Sequence, residues 1–402
     1  MASASIRSRP YRIIMVTALA GVLALAGCAA DDLPPPAPET LPATDAATPV
    51  ETAGEPEEPA PIRVAAMGDM LPHDSVHANA RVDSGWDYGQ FFEGVQEEID
   101  AADAVFCNQE VPSAGEDLGV TGYPVFNAPR EFAVDLRERV GCDLVNLANN
   151  HTADKGANGI RLTREVWDEL DPVSISGANR SAQEQGTVVY GDVRGVRVAL
   201  LSFAEYSNAP IDAVSLNLMG NTALVEALMA EARTNADIVL VSAHWGTEDS
   251  HQVNGAQRAF AQRVADLGAD VVLGTGPHVL QPVEWLDRAG GGRTLVWYSL
   301  GNMLSTQLGI DQLTGVIASF EIVPGDGDVP ATVERPAGLL TYMHYDWSAE
   351  ERAAGDLLAR HNLSITALAD SDELLARTAF GVTAEDQFAR SAEILGPEVE
   401  LR

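Results

Sequence analysis

Basic side chains are scarce in this sequence. Lys and Arg number 25 against 59 Asp and Glu in 402 residues, a formal charge of −34, and Lys155 is the only lysine. Nucleic-acid phosphates and anionic lipid headgroups are held chiefly by Lys and Arg, so this balance excludes nucleic acid as a partner and excludes electrostatic attachment to a membrane surface. Cysteine is scarcer still, with three residues, Cys28, Cys107 and Cys142. That excludes a small disulfide-built scaffold and a four-cysteine structural zinc site. There is no Walker or dinucleotide glycine fingerprint and no fixed-period repeat. Hydrophobic residues make up 46% of the chain, enough for a sizeable core in one large domain with appendages, or in two domains.

The N-terminus reads as an export signal. Arg7, Arg9 and Arg12 precede the apolar run Ile13 to Gly27, which falls short of the about 20 residues of a membrane span and fits a secretory h-region. It ends in Leu25-Ala26-Gly27-Cys28, similar to a bacterial lipobox, in which the cysteine is lipidated and becomes the first mature residue. Residues 29–61 carry nine prolines and scattered acids without one base. Such a stretch cannot bury a core and reads as a tether reaching at most roughly 100 Å. The expected organisation is a signal segment at 1–28, a tether at 29–61, a catalytic-type domain at 62–325 and a C-terminal extension at 326–402. The expected location is extracytoplasmic, on the membrane through a lipid at Cys28.

From Ile62 onward short apolar runs alternate with helical stretches. Phe91–Ile99, Arg130–Arg139, Gly159–Leu170, Thr222–Arg233 and Ala256–Leu267 have apolar residues at helical spacing. Gly186–Tyr190 and Val196–Phe203 flank a turn at Asp192–Gly195 and read as a hairpin. Residues 294–300 and 315–323 look like a second antiparallel pair. Past Gly325, Thr332–Tyr345 reads as a returning strand, and Ala349–Arg360 and Ala384–Ile394 as helices; His344 and His361 stand isolated there. The fold class that fits is α/β, a mixed β-sandwich flanked by helices.

One pattern recurs, an apolar run that ends in polar groups. Ile62–Met67 leads to Gly68-Asp69, with His73 just beyond. Ala104–Cys107 leads to Asn108-Gln109-Glu110. Leu144–Leu147 leads to Asn149-Asn150-His151. Asp237–Ser242 leads to His244, Asp270–Leu273 to His278, and Thr294–Leu300 to Asn302. In open α/β sheets ligands bind at the carboxyl ends of strands. Aligned strands would gather Asp69, Glu110, Asn150, His244 and His278 at one point. A lone histidine after a strand is more often a hydrogen-bonded loop residue, and Gly-Asp is commonly a turn or helix cap. Repetition makes the case here. Carboxylate, amide and imidazole together suit one or two divalent ions such as Mn, Zn or Fe.

The ordered set Gly68-Asp-Met-Leu-Pro-His73, Asn108-Gln-Glu110, Asn146-Leu-Ala-Asn-Asn-His151, His244-Trp-Gly246, Gly274-Thr-Gly-Pro-His-Val-Leu-Gln-Pro282 and Ser299-Leu-Gly-Asn302 resembles the CapA family. That family is named for poly-γ-glutamate capsule synthesis, and its domain belongs to the calcineurin-like metallophosphoesterase superfamily. The resemblance covers roughly residues 62 to 324. It implies a metallo-dependent phosphatase-like fold with Asp69, Glu110, Asn150, His244 and His278 as metal ligands. It also implies His151 as the group that assists the leaving group. Many relatives carry histidine where this chain has Thr275 or Gly276, so one expected ligand is missing; His73 or Asn302 could supplement the site.

The chemistry these residues imply is metal-assisted hydrolysis, with His151 as proton donor and with Asn149 and Asn302 orienting substrate oxygens. Arg130 and Arg180 are the candidates for offsetting the acidic field around an anionic substrate. Expected partners are an envelope polymer or a phosphoester, the membrane through its lipid anchor, and capsule-assembly proteins. The competing expectation is a non-catalytic accessory lipoprotein that binds polymer or assembly partners. Cys107 ends one strand and Cys142 precedes the next, an offset above about 10 Å if the strands are aligned. Two free thiols are therefore expected.

Overall fold

The computed structural model of the chain describes residues 60–326 and 329–402. The signal segment, Cys28 and most of the tether lie outside the described residues. Fifteen strands form two sheets: β1 (Ile62–Met70), β2 (Ala104–Gln109), β3 (Leu144–Asn146), β4 (Ser174–Ser176), β5 (Tyr190–Val193), β6 (Val196–Ala204), β7 (Ile238–His244), β8 (Val271–Thr275), β9 (Leu280–Asp287), β10 (Arg293–Leu300), β11 (Asn302–Leu304), β12 (Thr314–Val323), β13 (Thr332–Asp346), β14 (His361–Ala367) and β15 (Glu400–Leu401). The first sheet runs β14-β13-β12-β1-β2-β3-β4, with β11 beside β1 and β15 beside β13; the second runs β9-β10-β8-β7-β6-β5. β1 to β4 are mutually parallel, as are β6, β7, β8 and β10, whereas β12 is antiparallel to β1 and β13, and β13 to β14; β15 lies parallel to β13. This is the mixed α/β sandwich that the alternation of runs and helices called for.

The apolar runs show no clean alternation because both faces of each central strand are covered. In the second sheet Val198, Leu200, Ile238, Leu240, Val271, Leu273, Leu295 and Trp297 point into the core shared with the first sheet. Their neighbours Ala199, Leu201, Phe203, Val239, Val241, Val272, Val296 and Tyr298 form the outer core instead. Two helices cover that outer face, Thr222–Asn235 and Gly255–Asp266. They bury Val225, Leu228, Met229 and Ala232 on one, and Phe260, Ala261, Val264 and Ala265 on the other. The second opens on a capping box in which Asn254 and Gln257 satisfy each other's backbone N–H groups. Each fully buried Leu or Val here contributes about 1.5–3 kcal/mol. Helix Gly156–Leu170 buries Ile160, Val166 and Trp167, and the Trp167 indole donates to Gln109 Oε1 at 2.9 Å.

Several expectations change in detail. Helices foreseen at Phe91–Ile99 and Arg130–Arg139 are broken: a 3₁₀ turn at Gly89–Phe92 and a short helix at Gln96–Asp100 replace the first, and Arg130–Asp135 passes into a π turn at Leu136–Val140. The hairpin is tighter than foreseen, since Val193 pairs with Val196 and the loop is Arg194-Gly195, both at positive φ, a primed turn that suits strand twist. Residues 294–300 and 315–323 do not pair, because β10 and β12 belong to different sheets. Residues after 325 do not stand apart, for β13, β14 and β15 extend the first sheet on the β12 side.

The two thiols are also not free. Cys107 and Cys142 form a disulfide with Cα atoms 5.7 Å apart. Cys107 lies opposite Val145, so a straight strand would hold Cys142 about 10 Å away. The strand begins only at Leu144. Ahead of it the backbone turns at Gly141, φ 92°, and Cys142 N–H donates to the Leu136 carbonyl. This bend brings Cys142 back over Cys107, which a register argument on extended chain cannot foresee.

Candidate metal centre

Register places the polar row. Asp69 lies opposite Asn108, and Asn108 opposite Asn146, across three parallel strands. The side chains form a relay in which Asn146 Nδ2 donates to Asn108 Oδ1 at 2.7 Å, and Asn108 Nδ2 donates to Asp69 Oδ1 at 2.7 Å. Asp69 is fully buried and also receives the Gly276 N–H at 3.2 Å on each oxygen. Gly68 permits the approach of the neighbouring segment, since a Cβ there would sit 2.0 Å from the Gly301 carbonyl oxygen.

Asp69, Glu110 and His278 offer ligand atoms that lie within 4.8 Å of one another. His278 Nδ1 meets Asp69 Oδ2 at 2.9 Å and Asn302 Oδ1 at 3.1 Å, which leaves Nε2 toward Glu110 Oε1 at 3.9 Å. His244 Nδ1 meets Thr275 Oγ1 at 3.0 Å, and its Nε2 lies 3.4 Å from Glu110 Oε1. With an oxygen facing each Nδ1, the Nδ1–H tautomer would turn both Nε2 lone pairs toward Glu110 once the His278 proton is displaced, the arrangement that orients metal-binding imidazoles. The Thr275 hydroxyl thus orients the His244 ring. Gly276 cannot supply another, since a Cβ there would lie 2.8 Å from the Trp245 carbonyl oxygen and 3.1 Å from His244 Nε2.

Both Glu110 carboxylate oxygens and Asn150 Oδ1 are buried without any hydrogen-bond partner. A buried carboxylate with no donor is costly by several kcal/mol unless a cation faces it. The carboxylates of Asp69 and Glu110 and the His278 imidazole, within 4.8 Å of one another, with His244 Nε2 3.4 Å from Glu110, could hold a divalent metal ion.

Without an ion, protons take its place. Burial raises the Glu110 carboxyl well above the ordinary range, and the neighbouring Asp69 charge adds to the effect. Burial pulls His278 down, but Glu110 and Asp69 outweigh it and lift the ring to about 10. Burial would raise Asp69, yet the His278 ring lowers it. His244 falls to about 3 through burial, so it is neutral and ready to ligate. At neutral pH the ion-free site therefore holds a proton on His278 that a metal must displace. Loading a divalent ion at pH 7 is expected to release roughly one proton, with affinity rising about tenfold per pH unit. Calorimetric titration in buffers of different ionisation enthalpy measures this; a buffer-independent heat would show that His278 carries no such proton.

His151 lies beside the centre and is buried. Its Nδ1 bonds Asp154 Oδ2 at 2.8 Å, its ring stacks edge-on against Phe126 at 4.6 Å, and Nε2 lies 3.5 Å from Asn208 Nδ2. Asp154 also accepts the Phe126 N–H at 2.8 Å, so one carboxylate fixes both the imidazole and the aromatic ring against it. His73 caps helix Asp74–Ala80 and meets the same Phe126, at 5.5 Å. Burial lowers its pKa to about 3, and the acids of the centre pair with His278 and His244 instead.

The Asn149 side chain is engaged by backbone groups. Its Nδ2 donates to the Gln109 carbonyl at 2.8 Å and its Oδ1 accepts the His151 N–H at 3.1 Å, which holds the Glu110 and His151 loops together. Arg130 and Arg180 do not reach the centre; Arg130 pairs with Glu169, and Arg180 with Asp168 and Glu184. Asp154, Phe126 and the Asn108–Asn146 relay were missed. The His-x-x-Asp spacing of 151–154 and the asparagine at the same place in two successive strands were the available signals.

Comparison with known proteins places the chain. The family model described as bacterial capsule synthesis protein PGA_cap matches residues 63–307. The capsule biosynthesis protein CapA of Bacillus anthracis is 34% identical over 185 residues, covering 44% of this chain and 44% of that protein. The PGA biosynthesis protein CapA of Bacillus subtilis is 33% identical over 179 residues, covering 44% and 46%. A probable polyglutamine synthesis accessory protein of Mycobacterium tuberculosis is 30% identical over 152 residues, covering 34% and 40%. The match thus spans less than half the length of these curated relatives.

Proposed function

The chain belongs to the bacterial capsule synthesis protein PGA_cap family, and from that membership and the buried centre we propose a metal-dependent hydrolase, phosphoesterase-like in its chemistry, that acts outside the cytoplasm on an envelope polymer or a phosphoester. The observation that carries the proposal is Glu110, fully buried with neither oxygen hydrogen-bonded, facing two imidazole Nε2 atoms. Asp69, Glu110, Asn150, His244 and His278 would hold the ion, with Asn302 supporting His278 from behind. Such an ion supplies Lewis acidity toward a phosphoryl or acyl oxygen. His151 stays outside the ligand set. Asp154 holds its Nδ1–H, so the proton available for a leaving group is the one on Nε2. Phe126 covers the ring and limits water around that proton. Elemental analysis of the purified domain, run beside a phosphodiesterase and peptide-hydrolysis screen, tests the reading. A metal-free protein without turnover after reconstitution would sink it.

Anchoring is part of the proposal. Lipidation at Cys28, with residues 29–61 as tether, would hold the domain off the membrane among wall polymers; several acyl chains on one residue anchor stably where one does not. Among the described residues no helix is long and apolar enough to cross a membrane. The Cys107–Cys142 cross-link suits an oxidising compartment. Cys28→Ser is expected to release the protein from the membrane fraction or to stop its processing. Equal membrane retention of variant and wild type would remove the lipid anchor from the account.

A second reading has one observation in its favour. Positions 275 and 276 offer no further ligand, which suits an accessory lipoprotein that binds polymer or assembly partners while the metal serves structure. The same screen separates the two, since only the first requires turnover by a metal-replete domain.

A further inference from the structure

A cavity of about 760 Å³ lies between the two sheets at the end away from the metal centre. Its walls are the β9–β10 hairpin with its glycine-rich turn, the residues just before β8, and residues 330–336 at the start of β13. Asp270 precedes β8 and Arg293 opens β10, strands whose other ends carry Thr275 and Leu300 beside the centre. Eight residues of β10 separate the two regions by roughly 25 Å.

In a chain with 59 acids and 25 bases, four of the bases meet here: Arg233, Arg288, Arg293 and Arg335. They face two lining carboxylates, Asp270 and Glu334, and with Glu321 behind Arg335 and Asp287 opposite Arg293 in the β9–β10 ladder the local balance is even, in a chain that is elsewhere strongly acidic. The arginines already hold carboxylates. Arg233 and Arg288 clasp Asp270 from both sides at 2.8 and 2.9 Å, and Arg335 meets Glu321 at 3.1 Å. Arg293 differs: it has no acid within ion-pair distance among the described residues and lies 4.8 Å over the Trp285 ring. Arg335 adopts positive φ, 50°, at the place where the β12–β13 register shifts. A non-glycine residue held in that region costs of order 1 kcal/mol or more and tends to occur at functional positions. The Gly291 and Gly292 turn adds no side chain to the opening.

We propose that this cavity is a binding site for a linear polyanion with repeating carboxylates, engaged by Arg293 and Arg335 over the Trp285 ring and by the edge of the Arg233–Asp270–Arg288 clasp. That it is an anion site follows from its own side chains; that the anion is a polycarboxylate rests on the polymer reading proposed above. The guanidinium forks match carboxylate geometry. The opposite ends of one sandwich would then divide two tasks, holding the chain at one and chemistry at the other.

The test is a titration of the purified full-length chain with short oligoglutamate, followed by tryptophan fluorescence and calorimetry at several salt concentrations. Polyphosphate and inorganic phosphate serve as separate arms. Binding that weakens with salt, and that falls roughly tenfold or more in Arg293→Glu/Arg335→Glu, is the expected result. Both side chains are exposed, so melting temperature and metal content of the variant should match wild type. Absence of binding, or equal binding by the variant, overturns the site. Preference for polyphosphate overturns the polycarboxylate assignment. Metal-stripped protein should bind equally well, so loss of hydrolytic activity and loss of this site are read separately.

Discussion

His278→Ala is expected to deprive the centre of its ion. The ring contributes one nitrogen toward Glu110 and holds Asp69 and Asn302 with the other, so its loss removes a ligand and releases the carboxylate beside it. Affinity should fall by more than the roughly 10- to 100-fold typical of losing an outer partner of a ligand. Stability should drop in two parts. The stabilisation that the ion gives the wild-type fold, about 2.7 kcal/mol when free metal stands at 100 times its dissociation constant, disappears. Without metal, Asp69 and Glu110 also lose the imidazolium that balances them, a change worth about 3–5 kcal/mol when one partner of a buried charge pair is deleted. Melting curves with and without chelator, beside elemental analysis, measure both parts. His244→Gln, which leaves the Asp69 contact intact, should lose metal with a smaller penalty in the ion-free state. Unchanged metal content in His278→Ala would take His278 out of the centre and with it the convergence of strands on Glu110.

His151→Gln should behave in the opposite way, keeping metal and fold while losing turnover. Glutamine retains a polar group near Asp154 but cannot give a proton, so the cost should be about 10²- to 10⁴-fold on a substrate with a poor leaving group. On a nitrophenyl ester, whose leaving group hardly needs protonation, the loss should shrink. Asp154→Asn provides a check on positioning, because it weakens the hold on Nδ1 without removing the ring; it should lower turnover less than His151→Gln and shift its pH profile. If His151→Gln hydrolyses an unactivated substrate as fast as wild type, the histidine is no acid and Asp154 only stabilises the turn.

Much of this centre was legible in the sequence because it obeys one local rule, an apolar run followed by a ligand. Parallel strands in register convert that rule into convergence without further information, and Asp69, Glu110 and His278 meet in this way, with His244 beside Glu110. What escaped was set by side chains meeting across segments. The Asp154 clamp on His151 and Phe126 depends on where the 121–127 loop crosses. The diversion of Asn149 into a link between loops depends on a backbone carbonyl of another strand. Charge alone singles out Arg130 and Arg180, but Glu169 and Asp168 on helix Gly156–Leu170 and Glu184 on its flank hold them away from the centre. The pairing of Cys107 with Cys142 turned on a bend at Gly141 that extended-strand spacing does not contain. Sheet membership failed for the same reason, since residues 294–300 and 315–323 share composition but not a neighbour.

The stretch matched by the family model ends at residue 307, yet β1, the strand that carries Asp69, has as its antiparallel neighbour β12, residues 314–323, and β13 lies beyond that. Kinship and folding therefore draw different borders around the same centre. The inherited segment holds every candidate ligand, but without β12 its first strand would present a bare row of backbone N–H and C=O groups on one side. The part of the chain that looks most dispensable to a comparison of sequences is thus the part that keeps the ligand-bearing strand in the interior.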